Sequence, residues 1–122
     1  MAIAAVGLGA CDDRRPQPLT IDNALTADEI AAGRLTPEVM WKMSRAGGSS
    51  LSPDGRTLLY QQTDYNMAQN RGVTTLWVQD MASGAVTRLT DTASNNAAPE
   101  WSSDGRKIYF LSDRSGSMQV WR

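Results

Sequence analysis

Ser52-Pro-Asp-Gly-Arg-Thr-Leu-Leu-Tyr60 returns fifty residues later as Ser102-Ser-Asp-Gly-Arg-Lys-Ile-Tyr-Phe110. Pro53 presets φ for the second position of a tight turn, the Asp side chain can bond its own backbone, and the Gly accepts positive φ. Each copy therefore reads as a turn entering an apolar strand, and two copies at one offset mark a repeated structural unit.

Working outward from the first copy, Gly48 to Leu51 leads into the turn and Thr57 to Thr63 leaves it. Thr74 to Gln79 forms a third strand, and the Asp80 to Gly84 turn precedes a fourth, Ala85 to Leu89. The pattern restarts with Ala97 to Trp101, the second turn, Lys107 to Leu111, a loop, and Gln119 to Trp121. Four antiparallel strands per unit at a period of about fifty residues predict an all-β fold of β-propeller blades. One complete four-stranded blade spans about 49–90 and a partial second about 97–122, together a partial propeller over 49–122. The competing fold is a sandwich, which the regular offset disfavours.

From Gly55 to Trp77 is 22 residues, against 16 from Gly105 to Trp121, so the first unit carries six extra residues around Asp64 to Gly72. A solvated hairpin extension is the plain expectation, although loops of this kind also carry binding function.

Ahead of the repeats, Thr26-Ala-Asp-Glu29 has the form of a capping box and predicts a short helix fraying at Gly33. In Leu35-Thr-Pro-Glu-Val-Met-Trp-Lys-Met43, Thr36 caps, Pro37 suits the first helical position and Glu38 faces the positive helix end. Leu35 and Met40 have staple spacing, and Gly47-Gly48 is expected to end the element, giving a helix segment over 35–48. Met40, Trp41 and Met43 are expected to form a face that packs against the repeat array that follows, rather than a ligand patch.

Residues 1–10 are uncharged, apolar and small, and the chain turns polar at Cys11-Asp-Asp-Arg-Arg-Pro16. Ten residues are too few to span a bilayer, which takes about 20 in a helix. Leu8-Gly9-Ala10-Cys11 resembles the bacterial lipoprotein signal, in which the cysteine becomes the lipid attachment point. No Lys or Arg precedes the apolar run, so either the start lies upstream of Met1 or the segment is not a signal. The signal reading makes 1–11 a signal segment, 12–34 a tether with a short helix, Cys11 a lipidated residue, and the protein exported, periplasmic or membrane-anchored. Against it stands an incidental or buried cysteine.

A 41% hydrophobic and 20% charged composition is that of a folded protein. Twelve basic against thirteen acidic residues and no Lys/Arg-rich stripe give nucleic-acid binding no support. The chain has no histidine, which removes the usual general base of a nucleophilic triad and the commonest metal ligand. A single cysteine excludes an internal disulfide and any CxxC site. Asp54 and Asp104 invite a catalytic or calcium role, but their shared place beside Gly55 and Gly105 favours structural capping. No metal and no cofactor is implied.

The helix Leu35 to Met43, the Ser52-Pro-Asp-Gly-Arg56 and Trp101-Ser-Ser-Asp-Gly-Arg106 turns, Leu76-Trp77, Val86-Thr-Arg-Leu-Thr90 and Gly116-Ser-Met-Gln-Val-Trp121 resemble the start of bacterial prolyl oligopeptidase family serine peptidases. The likeness is to the dipeptidyl-peptidase and acylaminoacyl-peptidase branch and runs from about Leu35 to Arg122. It implies a propeller gating the access of peptide substrates to an α/β-hydrolase domain, carboxy-terminal to the propeller, that carries the Ser/Asp/His triad. No catalytic residue is expected in this chain, which has no G-x-S-x-G elbow. The resemblance also implies that propeller carboxylates hold a peptide's free amine, for which Glu100 is the candidate contact against a plain solvated charge. The Asp-Gly turns are shared with the propeller of the Tol-Pal component TolB, so a non-catalytic interaction platform is the alternative function.

Overall fold

The computed structural model describes residues 17–122. Two short helices precede seven strands: α1 (Ala27–Ala32), α2 (Pro37–Lys42), β1 (Arg45–Leu51), β2 (Thr57–Asn66), β3 (Arg71–Asp80), β4 (Val86–Arg88), β5 (Asn96–Trp101), β6 (Ile108–Ser112) and β7 (Gln119–Trp121). They form a four-stranded antiparallel sheet in the order β1-β2-β3-β4 and a three-stranded one in the order β5-β6-β7. These are the expected complete blade and partial second blade. The register repeats as well: Tyr60 pairs with Trp77 in the first sheet and Phe110 with Trp121 in the second.

The sheets stack because β5 packs against β1, β2 and β3. The contact is cemented by polar groups. Trp101 Nε1 donates to the Ser50 carbonyl at 3.2 Å, and the Ala98 amide donates to Gln61 Oε1 at 3.1 Å. Asn96, fully buried, donates to the Thr74 carbonyl at 3.2 Å, so a core amide finds its partner across the blade boundary. The apolar core is small and lies in the first sheet, on Leu59, Val73 and Leu76, with Leu19 added by the chain leading into α1.

The capping expectations hold for α1: Thr26 Oγ1 accepts from the Glu29 amide, Glu29 Oε2 accepts from the Thr26 amide, and Gly33 closes the helix in the left-handed region. In α2 Thr36 caps the Val39 amide with Pro37 in the first turn. The helix stops at Lys42, however, and Gly47-Gly48 does not end it. Those glycines lie inside β1, where the pairing with β2 shifts register between Gly47 and Ser49. The Gln61 side chain crosses them, and a Cβ on Gly47 would stand 3.0 Å from Gln61 Nε2. The glycine pair thus makes a bulge rather than a helix stop. The second sheet has its own register shift fifty residues on, between Ala97 and Glu100.

The six extra residues lengthen the β2–β3 ladder, so both strands run ten residues, against five in β6 and three in β7. The extension is not merely solvated: it is the surface on which α2 and the segment before α1 dock.

Candidate functional site

The repeated turns come first because they carry the most suggestive carboxylates. Asp54 Oδ1 accepts from Ser52 Oγ at 2.6 Å and from the Arg56 amide at 3.0 Å, while Ser52 Oγ accepts from the Thr57 amide at 2.9 Å. Asp104 repeats each bond, with Ser102 Oγ at 2.5 Å, the Arg106 amide at 3.0 Å and Lys107 N to Ser102 Oγ at 3.0 Å. Gly55 and Gly105 sit at φ +72° and +68°. The serine hydroxyl, then the backbone amide, holds each carboxyl below its usual range. Both carboxylates are thus bonded inside their own turns, as structural caps are. Among the described residues no group of three or more His, Cys, Asp or Glu could hold a metal ion.

Glu100 lies on β5, exposed, and accepts from Ser50 Oγ of β1 at 3.2 Å. It is thereby brought beside β1, the first strand of the other blade. Cys11 lies outside the described residues. Among the described residues no helix is long and apolar enough to cross a membrane.

The sequence reading expected α2 to pack on the repeat array, and the structure places that contact on the extended β2–β3 hairpin. Tyr65, on the extended part of β2, lies over its cross-strand partner Gly72. Trp41 meets that ring edge to face at 5.1 Å. Arg45 covers both, 4.9 Å from the Trp41 ring and 4.6 Å from the Tyr65 ring. Next to them Asp64, 5% exposed, accepts from Asn23 Nδ2 at 3.0 Å, from Gln62 Nε2 at 3.1 Å and from Ser44 Oγ. Lys42 Nζ pairs with Glu29 Oε2 at 2.7 Å and donates to the Ala24 carbonyl at 3.1 Å, which ties α2 to α1. That lysine is the main cause of the lowered pKa of Glu29. Of the expected packing face Trp41 makes this ring contact while still 37% exposed, and Met40 and Met43 are about half exposed. The signal in the sequence was the six-residue excess itself, with a glycine at its far end.

Between α2 and the hairpin opens a cleft of about 530 Å³ lined by Trp41, Tyr65 and Met67 with Asp22, Glu38 and Lys42 at its sides. Its volume and its mixture of rings and charges suit a small ligand or a peptide side chain.

The TolB beta propeller domain family matches residues 28–122. The chain is 38% identical over 86 residues to dipeptidyl-peptidase 5 of Porphyromonas gingivalis, covering 70% of this chain and 13% of that protein. It is 37% identical over 136 aligned positions to the Tol-Pal system protein TolB of Anaeromyxobacter sp. strain K, covering 98% of this chain and 30% of that one. A solved structure described as TolB from Agrobacterium tumefaciens superposes with a TM-score of 0.51 at 36% identity, over 64% of this chain and 26% of its own. The chain therefore spans between about an eighth and a third of the proteins it resembles. With the repeated turn, the four-strand sheet and these matches together, the chain belongs to the TolB β-propeller domain family.

Proposed function

We infer that this chain is the amino-terminal propeller portion of an exported serine peptidase acting on oligopeptides. Its blades gate access to an α/β-hydrolase domain carried outside these residues. The observation that supports this most is the docked helix α2: the Leu35 to Met43 segment, on which the peptidase resemblance rests, is built onto the first blade through Trp41 and Tyr65. The 38% identity to dipeptidyl-peptidase 5 adds weight. Export, with Cys11 as a lipid anchor to the membrane, belongs to the same reading. The test is to label the full-length protein with a fluorophosphonate and assay it on dipeptidyl and N-acyl peptide substrates. Labelling with turnover supports the inference, and a protein that neither labels nor cleaves overturns it.

A second reading is favoured by a specific observation, the TolB likeness, which covers 98% of the chain. In that reading the propeller is a periplasmic or surface interaction module with no catalytic domain. The same assay separates the two.

A further inference from the structure

A second cleft of about 520 Å³, sharing no lining residue with the α2 cleft, opens between the blades. Its floor is apolar, made by Leu76 of β3 and by Ile108 and Phe110 of β6. Its walls carry Arg106, Lys107 and Arg114 and, among the described residues, the side-chain carboxylate of Asp91, whose Oδ1 accepts from the Ala93 amide at 3.0 Å. In a chain of net charge -1 this is a local excess of positive charge.

Arg114 is held rather than loose. Its Nε donates to Ser112 Oγ at 3.1 Å and its Nη2 to Asn96 Oδ1 at 3.1 Å, and both partners are fully buried. Its guanidinium lies 5.1 Å from the Phe110 ring and 5.0 Å from the Trp121 ring. Although Arg114 is itself exposed, a guanidinium held by hydrogen bonds to two buried side chains and by two rings needs little reordering to receive an oxyanion with its remaining donors. Among the described residues the ion pair is Lys42 with Glu29, so Arg106, Lys107 and Arg114 have no carboxylate partner there.

We propose that the inter-blade cleft binds an acidic peptide segment, with carboxylates on Arg114, Arg106 and Lys107 and an apolar side chain on the Leu76, Ile108 and Phe110 floor. The floor decides the class of ligand. A bare phosphate gains nothing from apolar surface, whereas a segment alternating acidic and apolar residues uses both. The site lies apart from the α2 cleft and does not depend on the catalytic reading.

The test uses the full-length protein and a fluorescein-labelled peptide alternating Glu with Leu or Phe, followed by anisotropy. The Gln-for-Glu peptide and inorganic phosphate serve as comparisons. Both Arg106 and Lys107 are exposed and take part in the fold through their backbone amides. R106E with K107E is therefore expected to leave folding intact while raising the peptide Kd about tenfold or more. Arg114→Lys, which keeps the charge and loses the fork, is expected to weaken binding as well, and raising salt should weaken it further. Four results would overturn the proposal: no binding at millimolar peptide, equal binding of the Gln peptide, an unchanged Kd in the double variant, or full displacement by phosphate at the peptide's own concentration. The last would identify a simple oxyanion site.

Discussion

Ser50 and Glu100 occupy the same place in consecutive repeats, fifty residues apart, and are hydrogen-bonded to each other, Ser50 Oγ donating to Glu100 Oε2 at 3.2 Å. First strands of adjacent blades meet here, and the same contact carries the Trp101 indole bond to the Ser50 carbonyl. Among the described residues the Glu100 side chain has no second hydrogen-bond partner, and it is exposed. Glu100→Gln is expected to change stability by less than about 0.5 kcal/mol. Kinetics of the full-length protein on free-amine and N-acylated peptides are expected to match those of the parent. A rise in KM confined to free-amine peptides would instead make Glu100 the amine contact.

The docking of α2 depends on Gly72. A Cβ there would stand 2.8 Å from Tyr65 Cε1, and the ring cannot move freely because Trp41 and Arg45 flank it. Gly72→Ala is expected to cost about 1–3 kcal/mol and to release α2. Limited trypsin digestion should then cut faster at Arg34, between the helices, than in the parent.

Asp64 organises three neighbours from different segments, Asn23, Ser44 and Gln62. Asp64→Ala removes a buried acceptor and leaves the half-buried amides of Asn23 and Gln62 without it, at an expected cost of about 1–3 kcal/mol. The denaturant midpoint of the full-length protein checks this, and a change below about 0.5 kcal/mol would show that water replaces the carboxylate.

The turns respond to pH. Asp54, Asp80 and Asp104 all titrate below their usual range because hydroxyl and amide donors hold the ionised form. A depressed folded pKa gives stability that is present above the unfolded value, about 3.9, and lost as pH falls through the folded value. The denaturant midpoint is therefore expected to drop below about pH 4. Asp54→Asn with Asp104→Asn should make that drop shallower while lowering the midpoint at neutral pH.

The turns and caps were legible in the sequence because their physics is local. Ser52, Asp54 and Gly55 interact within five residues, as do Thr26 and Glu29, so type and spacing determine the geometry. The blade pattern followed from repetition. Gly47-Gly48 was misleading because its role depends on Gln61, a residue on the next strand that no local rule links to it. That α2 packs on the repeats was legible, but its partner Tyr65 was not, because Trp41 and Tyr65 are 24 residues apart in sequence and meet only once the longer β2–β3 ladder has formed. The Arg114 clamp needs Asn96, Ser112 and Trp121, contributed by all three strands of the second sheet.

The central claim is that this propeller belongs to a serine peptidase, and reading the coding frame past Arg122 tests it most directly. The account predicts several hundred further residues with more Asp-Gly turns, then a G-x-S-x-G elbow followed by an Asp and a His. A frame that closes after propeller repeats alone would contradict it and leave the interaction module as the protein's function.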